Sequence, residues 1–438
     1  MRASFPALAA LALVATAVSS PLSPRTDERH GEDIAFLLDA FEEKAGPLLK
    51  QKKIDWKKVR KEYSKAAKAI ETDQELIDLA VRLTARLHDG HAGVKIVKDR
   101  VDMSEFGDGP TFACGVEVYE FKGKWYVRRA TGAAAASGVK AGWEVKKIAK
   151  EDPKKWMAAA HERLIERDGF STEAAGWWAA GTWGVVGPDG KSVGFEFKTD
   201  RKKKKKVNLT WGKKSGGGSL IGPLVFPEGL EMVGRDIGWT KLPSGHGYMW
   251  VGRVPGDLHE LVDKAVAGLG EECTGLILDF RSNLGGGYDR DALLGRFVPK
   301  GESWGNEKST GPAPFTGDLV VLIDPSTISA GETIVGELKE ERRAYLIGPG
   351  GTHGASGSKH EAKAPSGLFT VRFVVHSNKM RFNGGKGVEG LGIAPHEIVE
   401  YDPKVLVQGI DPAIARAVEV LEDGIPKKAV SFVPPARR

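Results

Sequence analysis

Cysteine is nearly absent, with Cys114 and Cys273 the only two among 438 residues. A fold held by a disulfide framework is thereby excluded, while one exported pair and two buried free thiols both stay open. No CxxC spacing and no clustered His/Cys set occurs, so neither a metal nor another cofactor is expected. Long apolar runs are also missing. The run from Leu8 to Val18 is too short to span a bilayer, and no later stretch nears the roughly 20 apolar residues a membrane helix needs. With Arg2 before it and the small residues Ala17, Val18 and Ser19 at its end, that run has the pattern of a signal peptide over residues 1–19. A secreted or periplasmic protein without an integral membrane segment is the expectation.

Charge of one sign is not in excess either, since 64 Lys and Arg stand against 58 Asp and Glu, a formal net charge of +6. Only Lys202–Lys206 is dense, and it lies between the strand-like segments Val193–Phe197 and Val207–Trp211. That position favours a solvated hairpin tip over a polyanion site, so no nucleic-acid partner is expected. What is present is ordinary for globular chains: 41% hydrophobic and 28% charged residues argue against disorder and fibres. The length calls for two or three domains, and no internal repeat is found.

Three textures follow one another. Residues 30–100 read as helical: Trp56, Val59 and Tyr63 share a face, and Leu76, Leu79, Leu83 and Leu87 recur at spacings of three and four. Thr72 with Glu75 is a capping box that starts a helix, and Gly90 is the expected stop, which leaves His91 on a loop. Residues 109–212 alternate like short strands between glycine turns, as in Gly115–Tyr119 and Lys124–Val127. A Gly/Ser stretch, Ser215–Ser219, leads into residues 219–425, where strands such as Gly275–Asp279 and Leu319–Ile323 alternate with helices.

Two stretches of this last region suggest chemistry. Leu278–Gly287 ends a buried strand on Gly285, Gly286 and Gly287, whose N–H groups can converge on an anionic oxygen. Leu319–Ile323 is followed by Asp324–Glu332, which puts Ser329 at a strand-loop-helix junction where the helix end favours developing negative charge. Ser329 with Glu332 equally reads as a plain capping box. Order and company tip the balance. Leu87–His91, Leu278–Gly287, Ser329–Glu332, Arg343–Gly348 and Glu389–Pro395, with Asp411–Pro412 opening a closing helix, together resemble the C-terminal processing and tricorn-core serine peptidases.

The resemblance implies a multidomain α/β protein: an N-terminal helical region, a PDZ-like β-rich module carrying Ala136–Ile148, and a crotonase-like catalytic domain. It implies that Ser329 attacks a peptide carbonyl to give an acyl-enzyme, with Ala330 and Gly285 or Gly286 as oxyanion donors. The lysine of the Ser/Lys branch has no counterpart, because Thr352-His353-Gly354-Ala355 occupies that turn and Lys359 comes several residues late. His91 and Glu389 instead match the base and carboxylate of the tricorn-like triad, although Gly90 stands where that branch has a serine. His353 is a competing base. The PDZ-like module implies capture of substrate C-termini at Phe112, Ala113, Cys114, Gly115 and Val116. Protein or peptide substrates are the expected partners, and the oligomeric state is left open. Two other readings stay open: a non-catalytic crotonase-like binder of a hydrophobic ligand or peptide, and an enzyme acting on thioesters.

Overall fold

The computed structural model describes residues 28–96, 111–212, 222–304, 307–377 and 381–430. The signal-peptide pattern and Ser215–Ser219 lie outside these described residues. Helices α1 (Glu28–Gln51), α2 (Trp56–Ala66) and α3 (Asp73–Ala85) precede strand β1 (Gly93–Ile96). Next come β2 (Thr111–Ala113), β3 (Val116–Phe121), β4 (Lys124–Ala130), α4 (Gly132–Ala136), β5 (Glu144–Ile148), α5 (Pro153–Arg167), α6 (Glu173–Trp183), β6 (Val186–Pro188), β7 (Ser192–Lys198) and β8 (Lys204–Thr210). The rest runs β9 (Glu231–Gly234), β10 (Ile237–Lys241), β11 (Gly247–Val251), α7 (Leu258–Leu269), β12 (Gly275–Asp279), α8 (Arg290–Leu294), β13 (Ser303–Trp304), β14 (Glu307–Lys308) and β15 (Asp318–Leu322). It closes with α9 (Ala330–Glu340), β16 (Tyr345–Gly348), β17 (Gly357–Lys363), β18 (Phe369–Ser377), β19 (Glu397–Ile398), α10 (Pro403–Leu406) and α11 (Pro412–Asp423).

A seven-stranded sheet in the order β19-β16-β15-β12-β11-β10-β9 carries the last region, parallel from β19 to β11 with an antiparallel edge at β10 and β9. Successive side chains of a strand point to opposite faces. Thus Leu276, Leu278, Leu319 and Val321 pack under α7 and α9 on one side, while Ile277, Val320 and Leu322 pack under α11 on the other. Burial on both faces explains why these strands read as unbroken apolar runs.

The N-terminal helices do not close a core alone. Ile34, Leu37, Phe41 and Leu83 share one cluster with Ala362, Phe369, Val371 and Phe373 of the three-stranded sheet β1-β18-β17. The helical region is therefore packed against a hairpin that emerges from the last region. Thr72 caps α3 as read from sequence, its Oγ1 accepting from Glu75 N at 3.1 Å and its N–H reaching the Glu75 carboxylate at 3.1 Å. Gly90 is not the stop, because α3 ends at Ala85 with Arg86 as its C-cap. Gly90 answers to packing instead: a Cβ there would sit 2.2 Å from His353 Cε1.

In the middle region β3-β4-β5-β7-β8 form an antiparallel sheet, with α4 and the turns at Gly138 and Gly142 leading into β5. The lysine run falls on the β7–β8 hairpin and the start of β8, where Lys204 and Lys206 pair with Glu196 at 2.7 and 3.5 Å. Cys114 and Cys273 are free, buried thiols in separate clusters. Among the described residues no helix is long and apolar enough to cross a membrane, and no group of three or more His, Cys, Asp or Glu could hold a metal ion.

Candidate active site

The end of β15 sets the first element of the site. Past it, the Asp324 carboxylate accepts from Ser282 N at 3.0 Å and from Ser326 N at 3.0 Å, which ties the loop after β15 to the loop after β12. Ser329 follows as N-cap of α9 with φ 64° and ψ −125°, a region that costs a non-glycine residue on the order of 1–3 kcal/mol. Its surroundings hold it there. Ser329 N–H donates to Ala355 O at 3.0 Å and to Glu332 Oε2 at 3.1 Å, and Ile328 N–H donates to Asn283 O at 3.0 Å.

Glu332 does more than face a helix end. Its buried carboxylate also accepts from Thr352 Oγ1 and Gly354 N, each at 2.6 Å, and from Ala355 N at 2.8 Å. Burial pushes it up to about 7 against the pull of those donors. It joins the serine to the 352–355 turn, a role that a capping-box motif does not reveal.

The glycine loop lies opposite. Arg281, fully buried, is gripped by Asp279 at 2.6 Å and Asp411 at 2.9 Å, and this anchors the backbone before the glycines. Asp411 meanwhile caps α11 through Ala413 N at 3.0 Å, as its sequence position implies. Of the two candidate donors, Gly285 is engaged, because its N–H donates to Asn283 Oδ1 at 2.7 Å. Its place is against the serine: a Cβ on Gly285 would lie 2.5 Å from Ser329 Cβ. Gly286, at φ 148°, has no room for a side chain, since a Cβ would lie 1.9 Å from Val254 O. Among the described residues no group accepts from Gly286 N–H or Ala330 N–H. Both residues, with Ser329, Tyr288, Thr333 and Ser356–Lys359, line one cleft of about 320 Å³.

His91 lies between α3 and β1, next to Gly90, which packs against His353 and Ala355 of the 352–355 turn. Asp89 holds its turn, accepting from His91 N at 2.8 Å and from Val374 N at 2.7 Å, while Gly90 N–H donates to Ser171 Oγ at 2.9 Å. His91 Nδ1 is buried without a partner, and among the described residues no hydrogen bond joins its ring to Ser329 or Glu389. Burial, then the cations Lys359, Arg372 and Lys52, push its imidazole down to about 3. It is neutral at pH 7. The ring of His353 lies on Gly90, and burial and His91 push it down to about 4, while the backbone N–H of His353 donates to Thr327 O at 3.0 Å.

Glu389 is 0% exposed. Its carboxylate accepts from Lys52 Nζ at 2.8 Å, from Ser356 N at 3.2 Å and from Ser171 Oγ at 3.4 Å. Burial pushes it up to about 7, with Lys52 opposing. Lys359, which the sequence sets several residues late for a dyad, lines the same cleft as Ser329, and burial and Arg372 hold its ammonium below the usual range.

The segment read as a carboxylate-binding loop is partly strand and mostly covered. Phe112 and Ala113 pair with Gly187 and Val186, Cys114, Gly115 and Val116 are buried, and α6 packs on the Val118 carbonyl, where a Cβ on Gly181 would stand 2.3 Å away. Lys52, Asp89 and Ser171 were not singled out from sequence. Lys52 and Ser171 carry no local mark, because each meets the site only through contacts 35 or more residues away in the chain, and Asp89 adds to its short-range bond with His91 N–H a bond from Val374 N–H 285 residues on.

A serine at a strained strand-to-helix junction, lining one cleft with two backbone donors that have no acceptor among the described residues, is an arrangement that can carry out acyl transfer. Residues 237–399, from β10 through β19, match the model of peptidase family S41, and this match supports a serine peptidase. No curated protein matches the chain significantly. Mature CPAF complexed with lactacystin superposes with a TM-score of 0.64 at 13% identity, covering 90% of this chain and 98% of that one. Mature CPAF alone gives 0.64 at 14% identity, covering 91% and 98%. A Parabacteroides merdae protein described as a peptidase gives 0.52 at 16% identity, covering 91% and 97%. These likenesses concern the fold. The non-catalytic and thioester readings left open by the sequence find no support in the family match.

Proposed function

We propose that the protein is an exported endopeptidase or carboxyl-terminal processing enzyme that cleaves extended polypeptides, with Ser329 as nucleophile, His91 as base and Glu389 as the carboxylate that steadies the imidazolium. Ser329 Oγ attacks the carbonyl carbon as its proton passes to His91. The resulting oxyanion sits between Ala330 N–H and Gly286 N–H, each worth about 3 kcal/mol of barrier. His91 then protonates the leaving amine, and water hydrolyses the acyl-enzyme. The observation that carries this reading is the pair of backbone donors left without acceptors beside a strained serine in a single cleft. His91 supports it by being neutral, with Nδ1 free to take a carboxylate.

The same reading treats residues 219–425 as a crotonase-like catalytic domain, residues 30–100 as its helical cover, residues 109–212 as a PDZ-like module and residues 1–19 as a signal peptide. Short helix α4, the glycine turn and β5 support the PDZ likeness. Docking of a substrate end at Phe112–Val116 would require α6 to withdraw from β3, because the Val118 carbonyl is covered.

A second reading, a Ser329–Lys359 dyad, draws on the place of Lys359 in the cleft wall and its depressed ammonium. Both readings use Ser329, so hydrolysis of an unfolded protein substrate by a purified Ser329 variant tests what they share. Ser329→Ala is expected to lose all cleavage while staying folded. Wild-type turnover in that variant would remove Ser329 from the chemistry.

A further inference from the structure

Lys52 stands one residue past the end of α1, in a part of the chain to which the catalytic reading gives no role. Its side chain is only 6% exposed, and all its near partners belong to the site. Nζ donates to Glu389 Oε1 at 2.8 Å, to His88 O at 2.7 Å and to Leu87 O at 3.5 Å. The preceding residue extends the clamp, with Gln51 Nε2 donating to Glu389 O at 2.9 Å. We propose that Lys52 is a positioning residue of the catalytic site, whose ammonium holds the Glu389 carboxylate in place and ties it to the turn that carries His91. The proposal rests on the reading of Glu389 as the triad's carboxylate.

Two physical reasons support it. A carboxylate with no exposure is costly to ionise unless a charge meets it, and Lys52 is the only cation bonded to Glu389 among the described residues. The groups around it otherwise offer little compensation: Asp89 repels from the 88–91 turn, Ser171 and Ser356 N–H are neutral, and Lys359 acts from β17 without a bond. Lys52 also bears on the base, because it joins Lys359, Arg372 and burial in disfavouring imidazolium at His91, next to His353. Removing the ammonium therefore makes Glu389 harder to ionise and His91 easier to protonate. Both changes move the acid limb of activity the same way, to higher pH.

The test is the rate at which a fluorophosphonate labels Ser329 in the full chain, followed from about pH 5 to about 9. In Lys52→Met the limb is expected to move up by about one pH unit, roughly fivefold slower labelling at pH 7 and about tenfold slower at pH 5, with recovery at the alkaline end. Lys52→Arg is expected to restore most of the wild-type profile, since it keeps the charge. Should Lys52→Met fail to fold, Lys52→Gln keeps donors without charge and is expected to show the same displacement. An unchanged profile in the neutral variant, or a loss by one constant factor at every pH, would overturn the proposal. If His91→Ala labels at the wild-type rate, the triad itself has failed; if His91→Ala is inert while Lys52→Met behaves as wild type, only the role of Lys52 has.

Discussion

At the residue scale the chemistry depends on which group takes the serine proton. His91→Ala is expected to lower kcat by about 10⁴-fold or more, and Glu389→Gln by a smaller factor, since accepting the proton outweighs orienting the acceptor. Lys359→Ala should stay active; a near-normal His91→Ala enzyme beside a dead Lys359→Ala enzyme would restore the dyad. The pH profile gives an independent check. With the imidazole pushed to about 3 and Glu389 to about 7, ionisation of the carboxylate is expected to set the acid limb. On this basis kcat/KM rises as pH climbs through about 7, whereas a lysine base would place the rise in the alkaline range. Sequence singled out Ser329, His91 and Glu389 as candidates through the motifs around them. It could not show that Gly285 N–H is spent on Asn283, nor that Lys359 reaches the cleft, because both follow from how separate loops meet.

At the element scale, the parts fixed by local signals were legible. Thr72 and Glu75 start α3, Ser329 starts α9, and Asp411 with Pro412 starts α11, because a cap needs only residues within one turn. The end of α3 was misread for a complementary reason: Gly90 is fixed by His353, more than 250 residues on, and not by helix termination. The glycine loop gives the sharpest test of an element. Gly286→Ala would thrust a Cβ to 1.9 Å from Val254 O, so the loop must shift and carry its N–H out of line. Loss of one oxyanion donor costs about 10²- to 10³-fold in kcat, and turnover measured beside a thermal melt should show that loss in a protein that still folds. Full activity in Gly286→Ala would assign the oxyanion donor elsewhere.

At the scale of the whole molecule, buried titratable groups tie folding to pH. His91, His353 and His396 lie at about 3, 4 and 4 against an ordinary 6.5, so the unfolded chain binds their protons first as pH falls. Their contribution to stability is present above 6.5 and is lost on acidification. Glu332 and Glu389 have the opposite sign, since carboxyls at about 7 against an ordinary 4.5 disfavour the folded state as pH rises between those values. Among these five groups, three oppose two between pH 4.5 and 6.5, and of the five only the histidines act below 4.5. Denaturation midpoints should therefore vary weakly with pH in the first window and drop steeply below it. A flat profile down to pH 4 would contradict the neutral, partly buried histidines.

The whole molecule also shows why the domain plan was only partly readable. Composition separates helical, strand-rich and mixed regions, yet the helices share their core with β17 and β18, and Gln51 and Lys52 meet the turn at Glu389. Contacts between residues more than 300 apart leave no periodicity to read. The most direct measurement is the mass of the intact protein and its peptides after treatment with a fluorophosphonate. One adduct, on Ser329, absent from Ser329→Ala and strongly reduced in His91→Ala, is the expected result. No adduct on the folded chain, or one on another serine, would contradict the assignment of Ser329 as the nucleophile.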